Sequence, residues 1–243
     1  MARSVGVDGA VGGVNAPTVL NSGLNFMQFW DGRAPKLEDQ VSGPIHNPLE
    51  MGSNWSQVID KLTKDAELTA AFKEIYNSPP TAKNIRDAIA TYERALITPN
   101  SPFDRYLLGD EQALTVDAEK GYDLFVSLGC VSCHQGTNIG GNMFQRLGIM
   151  NDYFGDRGNI TEADYGRYNV TNRESDKFKF KVPSLRNVAL TAPYFHDGSA
   201  ADLQTAVEMM IHYQLGQTAT EQEVAQLVAF LESLTGELDE KLQ

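Results

Sequence analysis

Cys130-Val131-Ser132-Cys133-His134 is the stretch of this 243-residue chain whose residue types and spacing carry the most chemistry. Two thiols separated by two residues, with a histidine directly after the second, match the attachment site of a c-type haem. In such a site the sulfurs add to the vinyl groups and the imidazole binds the iron on its proximal side. The chain holds no other cysteine, so a zinc site would lack its second pair of sulfurs. A redox dithiol would give His134 nothing to do. A six-coordinate iron needs a second axial ligand, and downstream of His134 the candidates are Met143, Met150, Met209, Met210, His196 and His212. A methionine there would raise the potential. Met209 and Met210 stand side by side on a helix, about 100° apart around its axis, so at most one of them faces a haem. Spacing alone does not choose among these ligands.

The elements that must hold this site read as helices. Thr115 is placed to cap a helix that presents Ala118, Tyr122 and Phe125 and runs directly into Cys130. After the site, Ala201 to Tyr213 and Glu221 to Leu234 read as two more helices. The second is opened by a Thr220-x-x-Glu223 capping box, carries Val224, Leu227, Val228 and Leu231 on one face, and is closed by Gly236. Ahead of the site, a helical pattern from Asn54 through Val58, Leu62, Leu68, Phe72 and Ile75 stops at Ser78-Pro79-Pro80. Thr81 then caps a helix with Ile85, Ala88, Ile89, Tyr92 and Leu96 before Pro99. Residues 1–52 and 135–185 read as loops, and a loop as long as the second usually wraps something. Asn100 to Ala113 reads as a linker, which puts a domain boundary near residue 105. No run of alternating strands is visible, so the expected fold class is all-α.

The composition, 42% hydrophobic and 21% charged, suits one large or two modest domains with real cores, and two are favoured. The longest apolar stretches are broken by polar residues and fall short of the ~20 that a membrane span needs. Met1 to Val11 contains no apolar segment of the kind a secretory signal requires. A formal net charge of −12 and the lack of a basic stripe exclude nucleic acid as a partner.

Beyond the haem motif, the sequence resembles the bacterial dihaem cytochrome c peroxidase and methylamine-utilisation (MauG-like) family along nearly its whole length. The resemblance is carried by Asn15-Ala16-Pro17-Thr18, Phe29-Trp30-Asp31-Gly32-Arg33, Gly43-Pro44-Ile45 with Asn47-Pro48-Leu49-Glu50-Met51-Gly52, and Pro183-Ser184-Leu185-Arg186-Asn187. Pro193-Tyr194-Phe195-His196-Asp197-Gly198 and Tyr213-Gln214-Leu215-Gly216 complete it. It implies two cytochrome c-like domains, residues 1–105 and 106–236, followed by a tail at 237–243. The N-terminal domain is expected to be incomplete and loop-rich. The implied activity is periplasmic reduction of hydrogen peroxide to water, with electrons from a small donor protein, a cytochrome c or a cupredoxin. Members are often homodimers, an expectation carried here by analogy alone.

The resemblance also assigns residues. Met210 becomes the methionine ligand of the high-potential haem, and Met209 becomes core. Trp30 resembles the tryptophan that conducts electrons between two haems. Glu50 resembles the glutamate over the peroxidatic haem, where a carboxylate can take a proton from peroxide and return it to the leaving oxygen. Asn15, Thr191 and Pro193 match a calcium site built from a side-chain amide and backbone carbonyls, a neutral oxygen set of modest affinity. His196 is expected to hold a haem propionate or a backbone group. The family's first Cys-x-x-Cys-His should precede Asn15 and does not occur in this chain. Its removable distal histidine is also missing from Val5 to Gly13, with Val7 at about that place. These departures predict an incomplete chain whose N-terminal half exposes apolar surface. They also leave an alternative function, a single-haem electron-transfer protein without peroxidase activity. A MauG-like maturation enzyme would place tyrosine where Met210 stands, with Tyr213 the nearby substitute.

Overall fold

Short polar side chains start the longer helices of the computed structural model, which describes residues 3–242. After a loop-rich opening come α1 (Leu37–Gln40) and α2 (Ser42–His46), then α3 (Trp55–Lys64) and α4 (Ala66–Tyr76). The pattern from Asn54 to Ser78 predicts one helix, and the structure breaks it at Asp65. That residue takes an extended conformation, and its carboxylate accepts a hydrogen bond from Leu68 N, opening a new helix in place of continuing the old one. Thr81 caps α5 (Ala82–Ala95) as expected, in a reciprocal box with Asn84.

The expected linker from Asn100 to Ala113 contains a helix, α6 (Pro102–Leu107). Ser101 and Asp104 form a capping box there, Pro102 occupies the first turn, and Phe103 is buried. Proline at the first turn costs no hydrogen bond, so Ser-Pro-Phe-Asp starts a helix within the expected linker.

Thr115 caps α7 (Val116–Ser127). The long segment beyond the haem motif holds the strands β1 (Phe144–Arg146) and β2 (Lys179–Lys181), which pair antiparallel, with α8 (Tyr153–Arg157) and α9 (Tyr168–Thr171) between them. These two three-residue strands are the small departure from the all-α expectation. Two long helices follow, α10 (Leu203–Leu215) and α11 (Glu221–Glu232), the latter with the expected Thr220/Glu223 box.

α7 and α11 cross at Gly121, where an added Cβ would lie 1.9 Å from the Gln226 carbonyl oxygen, so glycine is what permits the approach. Beside this crossing Phe230 is 1% exposed, its ring 5.1–5.5 Å from those of Phe103, Tyr122 and Phe125. Burying a phenylalanine this completely stabilises the fold by about 2–3 kcal/mol. A second cluster gathers Tyr153, Phe154 and Phe180, with Trp30, Met209 and Tyr213 against it.

The N-terminal region has a smaller core, formed by Leu37, Val41, Ile45, Ile85, Ala90 and Leu96. A buried polar seam joins it to the rest. Asn21 Nδ2 donates to Thr98 Oγ1 at 2.8 Å, Thr98 Oγ1 donates to Asn187 Oδ1 at 3.0 Å, and Gly236 N donates to the same oxygen at 3.0 Å. No helix among the described residues is long and apolar enough to cross a membrane.

Candidate functional site

The chain leaves α7 through Gly129 and winds into a single tight turn, Cys130–Ser132. The Cys130 carbonyl accepts from Cys133 N at 3.2 Å and from His134 N at 3.0 Å, so one oxygen fixes the spacing of both sulfurs and the imidazole. The cysteines are not joined to each other, and burial raises the Cys130 thiol to about 11. That keeps it protonated and unlike the low-pKa thiolate of a redox dithiol. Burial is also the chief reason the His134 imidazole is lowered to about 4, which holds it neutral with a lone pair to give a metal. Its Nδ1 is buried near the Pro183 and Ile139 backbone without a well-formed hydrogen bond. Gly140, at φ +127°, lets the Pro183 carbonyl close over this ring, since a Cβ there would sit 2.1 Å from that oxygen. Two free sulfurs on one turn, a neutral imidazole and a backbone oxygen beside its second nitrogen are the donor set that a c-type haem requires.

The two methionines pack differently. Met209 packs into both apolar clusters, whereas Met210 belongs to neither. Tyr213 is committed to packing, edge-on to Tyr153 at 5.2 Å.

Trp30 comes from the N-terminal region and lodges in the C-terminal aromatic cluster, 6.5 Å from both Phe180 and His196. Its position is set through Asn15. Trp30 Nε1 donates to the Asn15 carbonyl at 2.8 Å, and Asn15 N donates to the His196 carbonyl at 2.8 Å. Asn15 Nδ2 donates to the Pro193 and Phe195 carbonyls at 2.7 and 3.2 Å. The structure thus brings together Asn15 and Pro193 of the expected calcium set. Thr191 lies two residues away, with its amide and hydroxyl both donating to the Val188 carbonyl.

Glu50 sits in a turn after α2, where its Oε1 accepts from Asn47 Nδ2 at 2.7 Å. Val7 N donates to the Glu50 carbonyl at 2.8 Å. The segment expected to carry a removable histidine therefore does lie against Glu50, with a valine in it.

His196 departs from its expected role. Its Nε2 donates to Asp164 Oδ1 at 2.7 Å, and its ring stacks on Phe180 at 4.3 Å, so carboxylate and ring fix it in place of a propionate or a backbone group. Asp164, His196 and Asp197 lie close enough to bind a metal ion, but Arg157 fills that role, bonding Asp164 Oδ2 at 2.7 Å and Asp197 Oδ2 at 2.5 Å. Burial works to raise the Asp164 carboxyl. The Arg157 guanidinium, with Thr161 and His196, outweighs it and holds the group well below the usual carboxylate range. Sequence reasoning missed Asp164 and Arg157. The available signal was Thr161-x-x-Asp164, a capping pattern whose acid also reaches inward.

A family model described as di-haem cytochrome c peroxidase matches residues 1–112, and one described as cytochrome c matches residues 118–235. Among curated relatives, the cytochrome c peroxidase Ccp of Escherichia coli (strain K12) is 53% identical over 96% of this chain and 50% of its own length. The cytochrome c551 peroxidase of Nitrosomonas europaea is 44% identical over 96% of this chain and 69% of its own. A crystal structure of a MauG-like protein associated with microbial copper homeostasis superposes with a TM-score of 0.84 at 27% identity, covering all of this chain and 80% of that one. The chain belongs to the dihaem cytochrome c peroxidase family. It spans half the length of the E. coli relative and about two thirds of the Nitrosomonas one.

Proposed function

We propose that this chain works in a periplasmic cytochrome c peroxidase, reducing hydrogen peroxide to water with electrons from a cytochrome c or a cupredoxin. The observation that carries the reading is Trp30, an N-terminal residue lodged in the aromatic cluster of the haem-bearing half and tied through Asn15 to the Pro193–His196 loop. Haem c, bound through Cys130 and Cys133, supplies one-electron chemistry at an iron held by His134 and Met210. His134 is kept neutral and its ring is fenced by the Pro183 backbone; Met209 anchors α10 so that its neighbour Met210 is left for the iron.

Trp30 would conduct electrons toward the region of Glu50, whose carboxylate, held by Asn47, would move protons as two electrons and two protons turn peroxide into two waters. The second haem that the family uses for this step would have to come from outside these 243 residues. Calcium would bind with the Asn15 amide turned so that Oδ1, beside the Pro193 and Thr191 carbonyls, meets the cation. That ion would lock the loop under Trp30. We place the division of the two cytochrome c-like units near residue 105, with 237–243 as a tail.

Peroxide turnover with a reduced small donor, measured on the chain joined to a relative's first haem-bearing segment, tests the reading. The expected result is turnover that falls at least tenfold in Trp30→Ala and Glu50→Gln with haem content unchanged. Haem reduction by the donor with no peroxide consumed would favour a relay without peroxidase activity.

A further inference from the structure

Lys181 is 5% exposed as a residue, and among the described residues no carboxylate pairs with its ammonium. Its neighbour in sequence parity, Lys179, is paired with Asp176 at 3.1 Å, and the half-buried Arg157 holds two carboxylates. Burial alone pushes the Lys181 ammonium down to about 8, with no carboxylate near enough to offset it. Its nitrogen is not among the fully sealed polar atoms, so the mostly buried charge keeps an edge on solvent where an anionic group could complete the pair.

The segment around Lys181 points to that group. Lys181 stands opposite Phe144 in the small sheet, and Gln145, the next residue on β1 and on the sheet's other face, reaches Cys133 Sγ at 3.9 Å, so the strand pair lies against the turn that carries both cysteines. Two residues after Lys181, the Pro183 backbone closes over His134, and the Lys181 charge is felt at that imidazole. Lys181 N also donates to the Trp30 carbonyl at 2.8 Å, so the same residue touches the expected electron path.

We infer that Lys181 is the counter-charge for a propionate of the haem on Cys130 and Cys133, and that it holds this haem's reduction potential up. The inference rests on the haem reading of those cysteines. A fixed positive charge in a low-dielectric pocket disfavours ferric iron relative to ferrous. Losing the lysine removes that charge and leaves a propionate uncompensated, and both effects favour the ferric state.

The test is a spectroelectrochemical titration of the matured chain and of K181Q, K181R and K179Q, with covalent haem measured on each. The expected result is a full haem complement in K181Q and a shift of about tenfold toward ferric iron at a given ambient potential, a drop of about 59 mV for a one-electron couple. K181R and K179Q should stay close to the wild type. A fully haem-loaded K181Q with unchanged potential overturns the assignment, as does K179Q shifting by the same amount. If K181Q fails to mature, K181R decides: normal haem and potential support the need for a charge, and a second failure overturns it. A wild-type chain without haem would overturn the haem reading itself and this inference with it.

Discussion

The two halves of the molecule hold their functional residues in different ways. Around His134, ring packs on ring: Phe125 lies 6.5 Å away and belongs to a cluster in which Phe230 and Leu234 are almost wholly buried. Around Glu50 the backbone does the holding, through Asn47, Val7 and the turn after α2, while Val5, Val7, Leu49 and Met51 are exposed. The proposed iron ligand is set in a rigid core. The carboxylate is placed by a loop whose surrounding apolar side chains face outward. Trp30 links the two, because it belongs to the loose region by sequence and to the rigid one by packing.

The sharpest way to break this contrast is to empty each side in turn. Phe230→Ala should cost about 4 kcal/mol in urea unfolding, whereas Ile75→Ala, at a side chain 73% exposed, should stay within about 0.5 kcal/mol. Equal losses would mean that the cores differ less than their packing indicates.

Asp164→Asn should come next, at about 3 kcal/mol, because it strips Arg157 and His196 of a shared buried partner. The same network sets the pH response. His196 is lowered chiefly by burial, so its neutral form supports folding above its ordinary value of about 6.5, and that support is lost as the pH falls below it. Asp164 is depressed as well, so its contribution is present above about 3.9 and disappears as the pH drops further. Urea midpoints should therefore fall from pH 7 to pH 4 in the wild type and fall more steeply in the Asp164→Asn variant, where His196 loses the carboxylate that offsets its burial. Parallel slopes would remove the network from the account.

Overpacking offers a smaller, matched pair. Gly121→Ala pushes a Cβ into the Gln226 carbonyl and should cost about 2 kcal/mol. Gly13→Ala meets nothing within 4 Å and should be close to neutral. Smallest is the capping pair. Thr220→Ala and Thr81→Ala should each cost about 1 kcal/mol, and a difference between them would report how strongly each helix is held by its neighbours.

Much of this was legible from sequence wherever the signal is local. The Cys130–His134 turn, the caps at Thr81, Thr115 and Thr220, and the apolar face of α11 all follow from neighbouring residues. What stayed hidden depends on distant partners. Asp65 breaks a helix that periodicity alone would continue, and Phe103 turns an apparent linker into part of the C-terminal core. In Phe178-Lys179-Phe180-Lys181 a strict alternation would send both lysines to solvent, yet Lys181 is buried where β2 meets β1 and the Trp30 backbone. Asp164 looks like a capping acid and becomes the centre of a charge network only when α8 and the His196 loop meet it.

The central claim is that Cys130 and Cys133 carry haem with His134 as its ligand, and intact mass with a haemochrome spectrum on the matured chain tests it most directly. One covalently bound haem per chain, lost in the Cys130→Ala/Cys133→Ala variant, is the predicted result; a chain matured alongside a functioning cytochrome c and still without haem would contradict it.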